Sequence, residues 1–297
     1  MVSPGILLVD KPAGLTSHDV VARTRRALGT RKVGHAGTLD PMATGLLVIG
    51  VEGATRLLTY VVGADKTYEA TIRLGQTTHT DDADGEILTR AADDAWSTVT
   101  PDRIAAGVTA LTGVISQVPS SVSAIKVDGR RAYDRVRAGE EVVLAAREVT
   151  VSRFDVLAQR QGEGFLELDV VVDCSSGTYI RSLARDLGED LGVGGHLTAL
   201  RRSRVGDFDV ADAVGVDDLG GATLMTPAQA AARVLAILDV SAAEATDLRH
   251  GKRLAGQAPR LDGDRAAAVD PEGNLVGVVE KRGADLKSAM NMPEAAR

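Results

Sequence analysis

The chain has 297 residues, of which 44% are hydrophobic and 25% charged, an ordinary balance that excludes collagen, coiled coil and wholesale disorder. Its one cysteine, Cys174, excludes an internal disulfide and a multi-cysteine zinc site, and its five histidines form no zinc-enzyme motif. The formal net charge of −7 argues against a nucleic-acid partner when it is averaged over the chain, but the charges are unevenly distributed.

The first hundred residues predict short strands, one helix and two loops. Ser17 is placed to cap a helix that ends near Leu28, where Gly29 stops it. Residues 34–41 are predicted to be a glycine-punctuated loop, and residues 79–97 an acidic loop. Apolar or alternating runs predict strands over residues 6–9, 46–49 and 68–74.

From residue 101 onwards, strands and helices follow each other without regular βαβ alternation. Helices are predicted over residues 101–111 and 178–191, and the basic residues 129–139 are either a short helix or a mobile loop. Strands are predicted over residues 122–127, 149–151 and 166–172. Strands therefore dominate, which favours an α+β fold with a mixed, mostly antiparallel central sheet and flanking helices.

The sequence changes character near residue 235. The alanine-rich residues 228–236 give way to strand-like runs at 266–269 and 275–279, separated by the turn-forming residues 270–274. About sixty residues suit a small β-rich domain. We therefore predict two domains, 1–234 and 235–297.

Basic residues are concentrated in three clusters, whereas acidic residues gather mainly between 81 and 94. Such local charge can steer a nucleic acid even when the whole chain is acidic, and the alternative is ordinary solvated surface. The clusters are Arg23, Arg25, Arg26, Arg31 and Lys32; Lys126, Arg130, Arg131, Arg135 and Arg137; and Arg201, Arg202 and Arg204.

The glycine-rich residues 34–41 contain the first candidate for chemistry. They lack a Gly-Lys-Ser/Thr sequence and precede a strand, and no GxGxxG follows the first strand, so a nucleotide cofactor is unsupported. Asp40 stands out because Pro41 restricts it to extended geometry and the flanking glycines permit close approach of another backbone. It is either a turn aspartate that accepts from neighbouring N–H groups or a catalytic carboxylate.

Several motifs in one order across about residues 5–205 resemble the TruB family of tRNA pseudouridine-55 synthases. The resemblance implies the pseudouridine synthase fold, an RNA-binding thumb loop near residues 124–147, and a PUA-like RNA-binding domain at 235–297. The motifs are KPAGLTS (11–17), GHAGTLDPMATGLL (34–47), KTYEA (66–70), GTYIR (177–181) and GHLTALRR (195–202).

The family reaction detaches uracil from its ribose, rotates it and rejoins it through carbon, without redox change or energy input. The resemblance therefore implies an isomerase that needs no cofactor and no metal. It assigns the nucleophile to Asp40, and attack at the ribose anomeric carbon or at the uracil ring both remain open. A base inside a folded T loop must be flipped out before it can react.

The resemblance also assigns roles around Asp40. Tyr68 stacks on the flipped uracil and its hydroxyl takes part in proton transfer, while Arg181 pairs with Asp40 and keeps it ionised. Each residue has an ordinary structural alternative, such as an inward strand position for Tyr68 or a helix surface for Arg181. Substrate-binding positions, with core or surface roles as their alternatives, are His35, Tyr179, Leu200 and Lys11.

The implied partner is the T stem-loop of tRNA, with phosphates contacted by the second basic cluster, Lys126, Arg130, Arg131, Arg135 and Arg137. We expect a cytoplasmic protein with no membrane association, because signal-peptide and membrane-spanning patterns are absent from the sequence. We also expect a monomer with no obligatory protein partner. Opening the tRNA elbow is compatible with an added role in tRNA folding. The alternatives are a non-catalytic tRNA-binding factor, which needs no Asp40–Tyr68–Arg181 set, and a small-molecule enzyme, which leaves the basic clusters unexplained.

Overall fold

The computed structural model of the chain describes residues 2–120, 126–127, 130–131 and 144–293, with backbone alone at 126–127 and 130–131. Its described helices are α1 (Ser17–Leu28), α2 (Leu58–Val62), α3 (Pro101–Ala110), α4 (Ile180–Asp190), α5 (Pro227–Ala232) and α6 (Ala242–Arg249). Its described strands are β1 (Gly5–Lys11), β2 (Val33–Ala36), β3 (Thr44–Val51), β4 (Lys66–Leu74), β5 (Gln76–Thr78), β6 (Ile87–Arg90), β7 (Gly113–Gln117), β8 (Lys126–Val127), β9 (Arg130–Arg131), β10 (Arg147–Gly162), β11 (Phe165–Cys174), β12 (Gly195–Val205), β13 (Phe208–Asp209), β14 (Val214–Gly215), β15 (Ile237–Asp239), β16 (Arg265–Val269), β17 (Leu275–Arg282) and β18 (Asp285–Asn291).

The described chain forms two compact units that are interleaved in sequence. The first consists of the described residues within Met1–Pro41, Gly45–Ala64 and Arg204–Arg297, and the second of those within Met42–Thr44 and Asp65–Ser203. The domain boundary expected between residues 234 and 235 separates α5 from β15 and stays a prediction.

In the first unit, β3 is buried on both faces, which explains its uninterrupted apolar sequence. It pairs antiparallel with β1 along the whole length of both strands, and β14 adds a parallel partner to β1. Leu46 and Val48 point into one core, whereas Leu47 and Ile49 point into another that includes Val20 of α1. Successive side chains on a strand face opposite sides, so a strand covered on both sides needs apolar residues at every position.

Helix α1 ends at Gly29 as expected, but its N-terminal cap is Thr16 rather than Ser17. The Thr16 hydroxyl accepts from the backbone N–H of Asp19 at 3.1 Å, and the Asp19 carboxylate accepts from the Thr16 N–H at 2.8 Å. This reciprocal pair satisfies two groups at the helix start. Ser17 is freed for a buried contact elsewhere, because a neighbouring threonine does the capping.

The C-terminal part of the first unit is a four-stranded sheet in the order β15-β16-β17-β18. The β15–β16 pair is parallel and the other two pairs are antiparallel. One face buries Leu238, Ala268 and Val279 together with Leu248 of α6. The expected strands at 266–269 and 275–279 are therefore confirmed, within slightly wider bounds.

In the second unit, five strands follow the order β12-β4-β11-β10-β7. The pairs β4–β11, β10–β11 and β7–β10 are antiparallel, and β11 alternates buried and half-buried positions along its length. With the parallel β1–β14 pair of the first unit, this is the mixed, mostly antiparallel pattern that the sequence predicts.

The single tryptophan, Trp96, packs so closely on Gly75 that a Cβ there would lie 2.6 Å from the indole.

Several elements differ from expectation, and α2, α6, β7 and β18 are among those that lie where no helix or strand is predicted. Residues 33–36 form β2, which pairs antiparallel with β3, so the predicted glycine-rich loop is shorter and starts after Ala36. The acidic segment 79–97 contains β6, which pairs with β5. Strand β12 has no counterpart among the predicted elements, because its charged and small residues mask the alternation of buried positions.

Helix α4 depends on a glycine in its last turn, Gly188. A Cβ at Gly188 would lie 2.2 Å from backbone atoms of both Gly194 and Gly195, and backbone cannot swing aside as a side chain can. The chain therefore requires glycine here to let α4 reach the start of β12.

We predict that Gly188→Ala lowers the free energy of unfolding by roughly 2–3 kcal/mol, because overpacking outweighs the usual ~0.5–1 kcal/mol gain of alanine in a helix. Urea unfolding measures this directly. Gly220→Ala is the control, since its Cβ meets nothing within 4 Å. A Gly188→Ala protein as stable as the parent would show that the α4–β12 contact yields easily.

Candidate active site

The loop that carries Asp40 lies in the first unit between β2 and β3, and hydrogen bonds hold its backbone on both sides of that residue. Before Asp40, the Ser17 hydroxyl accepts from the Leu39 N–H at 2.9 Å and donates to the Leu39 carbonyl at 3.1 Å. After it, the Pro41 carbonyl accepts from the Gly14 N–H at 2.8 Å. The 11–17 motif therefore determines the path of the 34–47 motif at Asp40, which is half-buried.

Lys11 completes this anchor from inside the protein. Its side chain is fully buried, and its ammonium group donates to the carbonyls of Leu15 at 2.7 Å, Pro12 at 3.0 Å and Pro41 at 3.2 Å. Three acceptors match the three N–H donors of a lysine ammonium, which offsets the cost of burying it. The geometry supports a structural role, and the expected contact of Lys11 with substrate stays a prediction.

His35 lies on β2, opposite Ile49 of β3, and is half-buried. Its ring stands edge-on to that of His18 in the first turn of α1, with centroids 5.4 Å apart. The first unit thus contains Lys11 at the end of β1, His35 on β2 and Asp40 in the loop that follows β2.

In the second unit, Arg181 is buried in the first turn of α4 and does not lie on the helix surface. Its guanidinium donates to the Thr80 carbonyl at 2.7 Å and to the Ser120 hydroxyl at 3.3 Å, and it lies 3.4 Å from the Asp82 carboxylate. Arg181 and Asp82 are each 3% exposed. A buried cation of this kind needs a nearby anion and fixed acceptors, and the segment 80–82 supplies both.

Asp82 is the residue that the sequence interpretation missed, because the segment 79–97 is predicted to be an acidic loop. A turn directs it inward: Asp81 adopts a left-handed backbone with φ of 60°, which aspartate tolerates better than most residues. The Leu197 N–H then donates to the Asp81 carbonyl at 3.1 Å. Asp84 is exposed, whereas Asp81 is half-buried and Asp82 is buried. The Asp-Asp-Ala-Asp-Gly turn sequence was the available signal.

Asp81 forms a second, outer ion pair on the same helix face, 3.5 Å from Arg185. Burial raises the pKa of the Asp81 carboxyl, and the Ser120 hydroxyl and the Arg185 cation oppose this. Adjacent aspartates are therefore matched to two arginines one helical turn apart on α4.

Tyr68 lies on β4 opposite Val172 of β11 and is 8% exposed. Lys66 is buried on the same face two residues earlier, and burial, followed by the nearby Arg202 cation, lowers its pKa to about 8. Burial raises the pKa of the Cys174 thiol, across from Lys66, to about 11. A nucleophilic thiolate is therefore disfavoured near neutral pH, which leaves Cys174 a core residue.

Tyr179 directly precedes α4, and two groups hold it. The Gln117 side chain brackets its backbone, accepting from the Tyr179 N–H at 2.8 Å and donating to the Tyr179 carbonyl at 3.0 Å. The Arg147 guanidinium lies 4.9 Å from the centre of the tyrosine ring, a cation–π distance. Leu200 is 8% exposed on β12, and its carbonyl accepts from the Thr44 hydroxyl at 3.4 Å.

The second basic cluster is described only in part, by the backbone of Lys126, Arg130 and Arg131. Backbone pairing places Lys126 opposite Arg131, and Val127 opposite Arg130, in a two-stranded antiparallel sheet. Arg135 and Arg137 lie outside the described residues, so the expected phosphate contacts of this cluster stay a prediction.

Within residues 2–120 and 144–293, no group of three or more His, Cys, Asp or Glu side chains is arranged to hold a metal ion. None of the helices in the described part of the chain combines the length and apolar character needed to cross a lipid bilayer.

Comparison with protein families gives three matches that follow one another along the chain. Residues 25–180 match the TruB family pseudouridylate synthase N-terminal domain, and residues 181–240 match the tRNA pseudouridylate synthase B C-terminal domain. Residues 235–293 match the C-terminal region of tRNA pseudouridine synthase II. These matches and the motif-bearing site define the class of the protein, which is a pseudouridylate synthase and hence an isomerase. Within that class, the chain belongs to the TruB family.

Curated relatives agree with this assignment over nearly the whole chain. A protein of Leifsonia xyli subsp. xyli named tRNA pseudouridine synthase B is 59% identical, covering 99% of this chain and 98% of the relative. One of the same name from Arthrobacter sp. is 54% identical, covering 96% and 95%.

Solved structures confirm the predicted pseudouridine synthase fold. A chain from an H/ACA ribonucleoprotein bound to a substrate RNA containing 2'-deoxyuridine superposes with a TM-score of 0.71 at 24% identity, covering 97% of this chain and 85% of that one. A chain from a Cbf5–Nop10–Gar1 complex gives 0.69 at 26% identity, covering 98% and 84%.

We predict that Lys11→Met lowers the free energy of unfolding by about 2–4 kcal/mol, because three partly buried hydrogen bonds from a charged donor are lost. Thermal or urea unfolding measures the loss. Lys287→Met makes the same chemical change at an exposed position, where we expect less than about 0.5 kcal/mol. Equal stability of the two variants would contradict the anchoring role of Lys11.

We predict that Asp82→Asn destabilises the protein by about 3 kcal/mol, because the buried Arg181 cation loses a buried carboxylate 3.4 Å away while the side-chain volume is kept. The matched control is Asp84→Asn, two residues along the chain and exposed. If urea unfolding gave the same midpoint for both variants, the Asp82–Arg181 pair would carry no net stabilisation.

Proposed function

We propose that this chain converts the T-loop uridine of tRNA, uridine-55, to pseudouridine. The observation that carries the proposal is the anchored Asp40: a half-buried carboxylate between two peptides that Ser17, Gly14 and Lys11 hold in place. A relative 59% identical over almost the whole chain bears the name of this activity. A pure binding protein has no use for a fixed carboxylate beside RNA phosphates.

Asp40 acts as the nucleophile, and the reaction balances without any cofactor. The bond between the ribose anomeric carbon and uracil N1 breaks, the uracil turns, and a bond from the anomeric carbon to uracil C5 replaces it. C5 loses a proton and N1 gains one, so there is no net redox change. The carboxylate bonds covalently to the substrate during the turn and is expelled at the end, whether it attacks the sugar or the ring.

Arg181 and Tyr68 serve this chemistry from the second unit. Thr80, Ser120 and Asp82 fix the Arg181 guanidinium before substrate binds. A guanidinium that pairs with Asp40 keeps the nucleophile ionised at neutral pH. Tyr68 stacks on the flipped uracil, and its hydroxyl takes part in proton transfer.

Base flipping requires contacts that hold the RNA while the uridine is out of its stack. His35 occupies space near the displaced base, and Tyr179 and Leu200 line its pocket. Gln117 and Arg147 keep Tyr179 in place for this purpose. Phosphate contacts come from the second basic cluster, Lys126, Arg130, Arg131, Arg135 and Arg137.

The domain organisation follows the same assignment. Residues 1–234 form the catalytic domain with its thumb near 124–147, and residues 235–297 form a PUA-like domain that binds RNA. The protein works as a cytoplasmic monomer on free tRNA and needs no obligatory protein partner.

Asp40→Asn tests the proposal, because asparagine matches aspartate in size but is a far poorer nucleophile. Turnover falls by roughly 10⁴-fold or more, the scale of losing a covalent nucleophile. Affinity for unmodified tRNA is retained or slightly improved, since a negative charge near phosphates is gone. Tritium release from 5-tritiated uridine in unmodified tRNA measures turnover, and filter binding measures affinity.

The control for this test is Asp207→Asn, which is exposed in the same unit, lies outside the basic α1 surface described below, and is expected to behave like the parent. Pseudouridine formation at the parental rate by intact Asp40→Asn would refute the nucleophile. Loss of folding along with activity would assign Asp40 to the turn instead.

A further inference from the structure

The first basic cluster remains without a role in the reaction. It consists of Arg23, Arg25, Arg26, Arg31 and Lys32, all exposed on α1 and the turn that follows it, and we call it the basic α1 surface. The opposite side of α1 buries Val20, Val21 and Thr24 against β3. The helix is therefore amphipathic, with one basic side and one buried, mainly apolar side, and the packing of the buried side leaves the basic side exposed to solvent.

Few carboxylates neutralise the basic α1 surface. Arg23 lies 4.0 Å from Asp217, whose side chain is 93% exposed, and Lys32 lies 3.6 Å from Glu52. Within the part of the chain that the structure describes, neither Arg26 nor Arg31 has a carboxylate within ion-pair distance. Five cations thus face two carboxylates, on a protein whose overall charge is −7.

A cleft lies beside the helix, within the first unit. It has a volume of about 250 Å³ and runs between α1 and residues 216–220, with Arg23 and Arg26 on one wall. Two guanidinium groups spaced three residues apart on a helix lie on the same side. Such a pair can donate to the oxygens of one phosphate or of two neighbouring phosphates.

The basic α1 surface is tied directly to the Asp40 loop. The helix starts at Ser17, which bonds both backbone groups of Leu39, and Arg25 donates to the Val33 carbonyl at the start of β2 at 3.0 Å. At about 1.5 Å per residue, Arg26 lies roughly 13 Å along the helix axis from Ser17. An RNA with one nucleotide at Asp40 therefore has other phosphates within reach of this helix.

We propose that the basic α1 surface binds the phosphodiester backbone of the substrate RNA, as a contact separate from the second basic cluster. Four of its five cations are arginines, whose planar fork matches phosphate. The exposed uncharged residues beside and between them are Ala22, Ala27 and Gly29, which offer no large hydrophobic anchor for a membrane or a protein partner. The identity of the RNA rests on the proposed function.

The test is the double variant Arg26→Gln/Arg31→Gln, assayed for binding of full-length unmodified tRNA over a range of salt concentrations. Each lost phosphate contact reduces the slope of log affinity against log salt by about 0.7–0.9. We expect the slope to fall by about 1.4–1.8, KM to rise, and kcat at saturating tRNA to stay at the parental value. The control, Arg90→Gln/Arg153→Gln, removes two exposed arginines from the second unit and leaves the slope unchanged.

An unchanged slope in the Arg26→Gln/Arg31→Gln protein, or an equal loss in the control, would overturn the proposal. A T-arm hairpin in place of tRNA locates the contact: the same loss puts it in the T arm, and no loss puts it elsewhere on the tRNA. Binding and turnover are measured separately. If the double variant shows the expected fall in slope but the parent protein makes no pseudouridine, the proposed function is contradicted and this inference stands.

Discussion

The arrangement of the first unit depends on hydrogen bonds to the backbone on either side of Asp40. Ser17 secures the peptide before it, and Lys11 and Gly14 secure the carbonyl after it. These anchors act on main-chain atoms, so the path of the loop does not depend on whether the carboxylate is ionised, free or covalently occupied. A carboxylate that we propose to form and break a covalent bond in each cycle requires support of this kind, because the site must return unchanged.

The second unit meets a different constraint, which is the burial of the Arg181 cation. Arg181 is surrounded by a carbonyl, a hydroxyl and the Asp82 carboxylate, all on segments distant from α4 in sequence. Burying an arginine alone would be very costly, and Asp82 offsets that cost. The close contact of Gly188 with the start of β12 serves the same end, since it sets the depth at which α4 sits.

Local features of the fold were predictable from the sequence, whereas long-range pairings were not. The helix that ends at Gly29 and the alternating strand through Tyr68 depend on the spacing of apolar and capping residues over a short segment, so the sequence alone predicts them. Asp82 looks like one more acid in an acidic loop, because its partner Arg181 is brought to it only by the folded sheet. Ser17 shows the same limit: a hydroxyl at a helix start suggests a cap, and only the tertiary structure assigns it to Leu39. The assignment of Asp40 as nucleophile depends on motif resemblance, since spacing alone is more typical of a turn aspartate.

The packing of Trp96 on Gly75 gives the protein a natural optical label. It is the only tryptophan in the chain, and it belongs to the second unit. Its fluorescence therefore reports on the unit that holds Arg181 and Tyr68, while far-ultraviolet circular dichroism sums over both units. Coincident transitions by the two signals would mean that the units unfold as one, and separated transitions would mean that each melts on its own. The cooperativity between the halves of the enzyme can thus be measured without attaching any dye.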